Sequence, residues 1–192
     1  MRAAILLLCF GLTLTATPDV SAQTTSEGQA TPNAIRIDQT PTVAQLTTAL
    51  SHFERTATRT ELHALGPQTL SRLFEVYQAP STAAYVRLRA LGALRHFPSA
   101  ATRAFLIAVL QVPNQTDLHK RHALLSLAHG FGVSVRAEIT PYLGDSDPIV
   151  REAAGRALAH LGDPSSLQAI SDRLAVETND SVRHTLRQLR SR

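Results

Sequence analysis

The sequence predicts an all-α fold, an α-solenoid of stacked antiparallel helix pairs with a period of about 32 residues. Three observations predict it. Ala, Leu and Arg are plentiful while aromatics are scarce, with six Phe, three Tyr and no Trp, a balance that favours helix over strand. One frame of apolar, basic and small residues recurs along the chain. Gly and Pro punctuate the recurrences where a helix should stop and another start. The length of 192 residues suits one domain with a sizeable core and needs no disulfide or metal staple. An apolar fraction of 44% with 18% charged residues argues against disorder over most of the chain. The net charge of +4 is a mild excess that hints at acidic partners without naming any.

Residues 1–22 read as a signal peptide. Arg2 supplies a short positive start, Ala3 to Leu14 form an apolar stretch, and Pro18 breaks any helix. Val20-Ser21-Ala22 places small residues where a signal peptidase reads, so cleavage is expected after Ala22. The apolar stretch falls short of the ~20 residues that a membrane-spanning helix needs, so no transmembrane segment is expected in the mature chain. Export, to a periplasm or beyond, follows as the expectation. The single cysteine, Cys9, leaves with this segment, so the mature chain has no disulfide to rely on. Arg2 and Asp19 cancel, and cleavage leaves the charge unchanged. Residues 23–42, rich in Thr, Ser, Gln and Pro, read as a flexible polar leader that could carry a brief strand over Ala34–Asp38.

Residues 43–192 form the repeat domain. Val150-Arg151, Ala154 and Ala157-Leu158 set the frame. It occurs also at Val86-Arg87, Ala90 and Ala93-Leu94, and more weakly at His119-Lys120, Ala123 and Ser126-Leu127. It returns at Val182-Arg183, Leu186 and Leu189, while one period earlier Arg55 and Leu62 echo it. Val150, Ala154, Leu158 and Leu161 fall on one helical stripe, as do Val86, Ala90, Leu94 and Phe97. Gly162-Asp163-Pro164 then predicts a stop, a capping carboxylate and a proline at the first position of a second helix. Leu167, Ile170 and Leu174 give that helix its buried face, and Leu70, Leu73 and Tyr77 do the same after Gly66-Pro67. One such pair cannot cover its own apolar faces, so the pairs must stack.

The frame resembles the HEAT repeat family, an armadillo-type α-solenoid, in the short form typified by phycobilisome-lyase-type repeats. The residues that carry the resemblance are Asp147-Pro148-Ile149-Val150-Arg151, Ala154, Ala157-Leu158, Leu161-Gly162-Asp163-Pro164 and Asn179-Asp180-Ser181-Val182-Arg183. Residues 82–190 match well and 43–79 loosely. The tetratricopeptide signature, which wants Trp, and the ankyrin Thr-Pro-Leu-His are both missing. Resemblance to this family implies an interaction surface rather than a reaction. The di-iron chemistry of similar hydroxylases needs His-Glu dipeptides, and the chain has none. Bilin lyase activity does not carry over either, since export removes the protein from phycobiliproteins.

Candidate chemistry reduces to three sets. Asp147–Arg151 and Asp180–Arg183 read as caps with ion pairs within or between units. His96, His129 and His160 each follow the last Leu of the frame by two residues. Stacked helices ~8–10 Å apart would array them as a ladder rather than converge them on one ion, so they read as helix-end residues. His119 and His122 could supply two ligands but find no third. No metal or other cofactor is therefore expected. Arg72, Arg103 and Arg136 fall near the starts of three successive second helices, which usually line the concave face of such arrays. They are the candidate binding residues, in a row broken at the fourth unit by Gln168. The expected function is a non-enzymatic protein-interaction or scaffold module whose partner is another protein. The alternative is a salt-sensitive binder of an acidic polymer, anionic lipid headgroup or nucleic acid through this basic row. An enzyme ranks third, because HEAT-like glycosylases need an aromatic-lined cleft and a carboxylate that the sequence does not display.

Overall fold

A computed structural model describes residues 41–51 and 56–191. The expected signal peptide, most of the polar leader with its strand at Ala34–Asp38, and Arg55 and Arg192 lie outside the described residues. Every regular element among the described residues is helical.

Helix α1 (Val43–Leu50) and helix α2 (Arg59–Ala64) each begin with a reciprocal cap. Thr42 and Gln45 exchange backbone and side-chain hydrogen bonds in the first, Thr58 and Glu61 in the second. The loosely matching first repeat is thus divided. Its frame Leu62 is nonetheless fully buried, and α3 (Thr69–Gln78) completes it with Leu73 and Val76 inward.

The second unit runs through α4 (Ala84–Ala93), a 3₁₀ turn at Leu94–His96, and α5 (Ala100–Gln111), capped by Ser99. The third opens with α6 (Asp117–Phe131), capped by Thr116. Its expected second helix is broken into a 3₁₀ turn at Gly132–Val135, a single α-turn α7 (Arg136–Ile139) and another 3₁₀ turn at Thr140–Gly144. Pro141 explains why α7 stops: it has no N–H to give the Ala137 carbonyl one turn back, and it opens the next 3₁₀ turn instead. The Thr140 N–H and hydroxyl both donate to the Arg136 carbonyl, the hydroxyl at 2.9 Å. The fourth unit pairs α8 (Pro148–Leu161) with α9 (Pro164–Val176), and α10 (Asp180–Arg190) stands as the final half-repeat. Between α8 and α9 the chain turns at Gly162, whose φ of 69° is the left-handed conformation that favours glycine. Asp163 accepts the Ser166 N–H, and Pro164 opens the helix, as the sequence predicts.

The core runs between the first helices, which stack side by side in parallel register. Val150, Ala154 and Leu158 are buried, as are Val86, Ala90 and Leu94. Register is fixed by close contacts about one period apart. The buried Ser126 hydroxyl donates to the Leu91 carbonyl at 2.8 Å, tying α6 to α4. Gly155 lets α10 approach α8, because a Cβ there would overlap the Leu186 side chain. His129 of α6 and His160 of α8 lie ring to ring, with centroids 3.8 Å apart. Among the described residues no helix is long and apolar enough to cross a membrane.

Candidate functional site

Parallel stacking brings the N-terminal ends of the first helices to one edge of the repeat array. The frame's basic residue is the fourth residue of each helix, so Arg87, Lys120, Arg151 and Arg183 recur along that edge. Lys120 pairs with Asp145 at 2.9 Å. Burial works against ionising Asp145, but the Asp147 N–H and the Lys120 ammonium outweigh it and hold its carboxyl below the usual range. Arg151 does not pair with Asp147, which instead caps Ile149. Its guanidinium turns inward and grips Glu177 through two bonds of 2.9 Å, while Nη1 donates to the carbonyls of Asp145 and Ser146. Arg173 adds a bond of 2.9 Å to the same carboxylate, and the Thr178 and Asn179 N–H groups complete its shell. Burial opposes the charge on Glu177, yet Arg151, the Asn179 N–H and Arg173 hold its pKa down to about 2. Arg183 donates to the Glu177 carbonyl and pairs with Asp180 at 2.9 Å, the pair the sequence suggests. Asn179, rather than Asp180, caps that helix. Glu177 was not legible as the partner of Arg151 because 26 residues and a whole helix separate them.

The three candidate arginines stand near the starts of α3, α5 and α7, as expected, and each is engaged by a carboxylate. Arg72 pairs with Glu75 in its own helix. Arg103 pairs with Glu138 of the next unit and donates to the Ser134 carbonyl at 2.9 Å. Arg136 pairs with Asp163, the cap of α9. Two of the three pairs therefore join successive units.

The histidines occupy helix ends. His96 lies in the turn after α4, and His129 and His160 in the last turns of α6 and α8. A carbonyl bond comes from a different histidine: His63 meets the His96 carbonyl through Nε2 at 3.0 Å and stacks on Phe97 at 4.4 Å. His119 is held by the Thr116 hydroxyl at 2.6 Å, and His122 lies against Gly92 of α4. Among the described residues no group of three or more His, Cys, Asp or Glu could hold a metal ion. A shallow cleft opens beside His122, with Arg89, Arg95 and His96 around a lining that includes Leu50 and Ala93. Burial first, then the charge of Arg121, depresses the His122 pKa and keeps its ring neutral near pH 7.

The edge that carries the basic ladder also exposes apolar side chains in register. Leu118 and Ile149 are 44% and 41% exposed although each directly follows the first residue of its helix, one period apart. Val112, just after α5, and Val176, at the end of α9, flank them at 47% and 65%. Aliphatic side chains left partly open to water at two equivalent positions, with two more beside them, make this edge a candidate contact surface. The signal was present in the frame as the residue before the apolar–basic pair, but solvent exposure at that position is set by the stacking and not by helical spacing.

Comparison with curated proteins found no match to the chain. A family model described as HEAT repeats matches residues 114–190. That span holds α6 to α10, so residues 114–190 form a HEAT-like repeat region.

Proposed function

We propose that the chain is an exported, non-enzymatic interaction module that docks a protein partner along the edge formed by the N-terminal ends of its first helices. The observation that carries this reading is the repeated exposure of Leu118 and Ile149, flanked by Val112 and Val176. Stacked repeats present equivalent side chains at regular intervals, which suits an extended partner segment better than a small molecule. Export is supported by Arg2, the apolar run Ala3–Leu14 and the small residues Val20-Ser21-Ala22.

Photo-crosslinking from position 149 in the envelope of the producing cell tests the docking edge. A discrete adduct is expected from the edge, lost when Leu118→Asp and Val176→Asp are introduced together, and absent from a crosslinker at Gln168 on α9. Adducts of equal yield from both positions would overturn the edge. The polyanion alternative would have to displace Glu75, Glu138 and Asp163 from Arg72, Arg103 and Arg136. Salt separates the two readings, because phosphate or sulfate contacts weaken steeply as salt rises and an apolar edge does not.

A further inference from the structure

The basic ladder is incomplete at one rung. Asp145 and Glu177, the acids that pair with Lys120 and Arg151, each sit two residues before the cap of the following first helix, Asp147 and Asn179. The counterpart for Arg87 is Asn114, two residues before the cap Thr116. Asn114 is neutral, exposed and held with φ at 58°, and the loop from Val112 to Thr116 contains no acid. No described carboxylate pairs with Arg87, and its Nε is buried without a hydrogen-bond partner. A half-buried guanidinium without a counter-charge is a costly arrangement that a carboxylate at its outward nitrogens would relieve.

The surroundings of Arg87 suit such a guest. The Tyr77 ring stands edge-on to His119 at 5.7 Å and to Phe105 at 5.4 Å, and α3 and α6, which carry Tyr77 and His119, both pack on α4, which carries Arg87. The Gln115 amide donates to the Tyr77 oxygen at 3.3 Å, which leaves the phenol proton free to donate outward. His119 has its Nδ1 taken by the Thr116 hydroxyl, leaving Nε2 as its remaining polar atom. Arg87 acts electrostatically on both rings, and its charge joins burial in depressing the His119 pKa.

We infer that Arg87, with Tyr77 and His119 beside it, is a carboxylate-binding site that receives an Asp or Glu side chain of the protein partner, filling the rung that Asp145 and Glu177 fill in the following units. The inference rests on the interaction reading above and names the partner's chemistry: an acidic residue close to an apolar one, since Leu118 lies next to His119 on the same helix. A carboxylate there would take two guanidinium hydrogen bonds from Nη1 and Nη2, since Nε is covered, whereas Glu177 takes its two from Nε and Nη2 of Arg151. The phenol of Tyr77 would supply a third.

The test needs no partner in hand. The full mature chain is titrated with N-acetyl-glutamate amide, with N-acetyl-glutamine amide as its neutral isostere and with inorganic phosphate, while the Arg Nε–H and His ring resonances are followed by NMR. The glutamate probe should give a saturable shift of the Arg87 Nε–H and His119 signals and raise the His119 pKa, since the ligand charge offsets that of Arg87. The glutamine probe should give none. Arg87→Gln should abolish the response and Arg87→Lys should weaken it roughly tenfold or more, because the bidentate contact is lost. Unchanged helicity in Arg87→Lys keeps the comparison valid if the Gln variant misfolds. No saturable shift with glutamate, an equal shift at Arg183, or saturation by phosphate alone would overturn the site. Failure here with edge crosslinking intact would sink only the carboxylate site, whereas loss of edge crosslinking with this response intact would sink the docking edge.

Discussion

Replacing Glu177 with Gln removes one charge from a buried ion-pair cluster. The side chain is 3% exposed and accepts from Arg151 and Arg173, so the variant keeps the shape while leaving two guanidinium groups without a counter-charge. The size of the effect follows from the carboxyl's pKa, about 2 in the folded chain against 4.5 ordinarily. That shift corresponds to roughly 3 kcal/mol of stability at pH 7, at the lower edge of the ~3–5 kcal/mol expected when one member of a buried pair is removed. A depressed folded pKa contributes stability above the unfolded value and loses it as pH falls through the folded value. The contribution is therefore full above about pH 5 and shrinks between pH 4.5 and pH 2, to roughly 1.4 kcal/mol at pH 3. Urea unfolding of both proteins at pH 7, 5 and 3 measures this directly, and melting at pH 7 should fall by roughly 6–12 °C. A penalty below about 1 kcal/mol at pH 7, or one that stays constant down to pH 3, would show that the carboxylate is not held by these partners.

Leu158→Ala should cost ~2–5 kcal/mol, because Leu158 is fully buried between α8 and its neighbours, and unchanged urea unfolding would mean the inward stripe is misassigned. Intact mass of the exported protein should place its first residue at Gln23, and a chain retaining Met1 in the membrane fraction would refute cleavage.

Helical spacing made the stacking stripes legible, since burial of Val86, Ala90 and Leu94, or of Val150, Ala154 and Leu158, repeats with the helix period. Local punctuation was equally legible at Gly162-Asp163-Pro164, where turn, cap and first helical residue are consecutive. Pro141 marked the broken second helix of the third unit just as plainly, but the recurrence of the frame overrode it as a signal. Pairings across a unit were not legible. Arg151–Glu177, Lys120–Asp145 and Arg103–Glu138 join residues brought together only when the second helix folds back or the next unit stacks. The exposed edge escaped for a related reason. Helical spacing assigns Leu118 and Ile149 to no stripe, and only the stack shows that no neighbour covers them.

The row Arg72, Arg103 and Arg136 gives the two readings of this chain opposite expectations. A free cationic row would attract polyanions beyond its share of net charge, whereas a set of ion pairs between units would not. Arg103 reaches Glu138 from α5 to α7, and Arg136 reaches Asp163 at the start of α9, so these charges are already spent within the stack. Changing all three to Ala frees Glu75, Glu138 and Asp163 on the same face. Each lost pair is partly solvent-exposed and should cost under about 1 kcal/mol, with a smaller cost at high salt. Changing Arg187 and Arg190 on α10, together with Arg192, removes the same formal charge elsewhere. Retention on a polyanionic resin should then fall to a similar extent for both triples, while only the first loses measurable stability. If the row triple instead loses retention far beyond the tail triple, its guanidinium groups are open to an outside polyanion, and their pairing with Glu75, Glu138 and Asp163 is too weak to count against that partner.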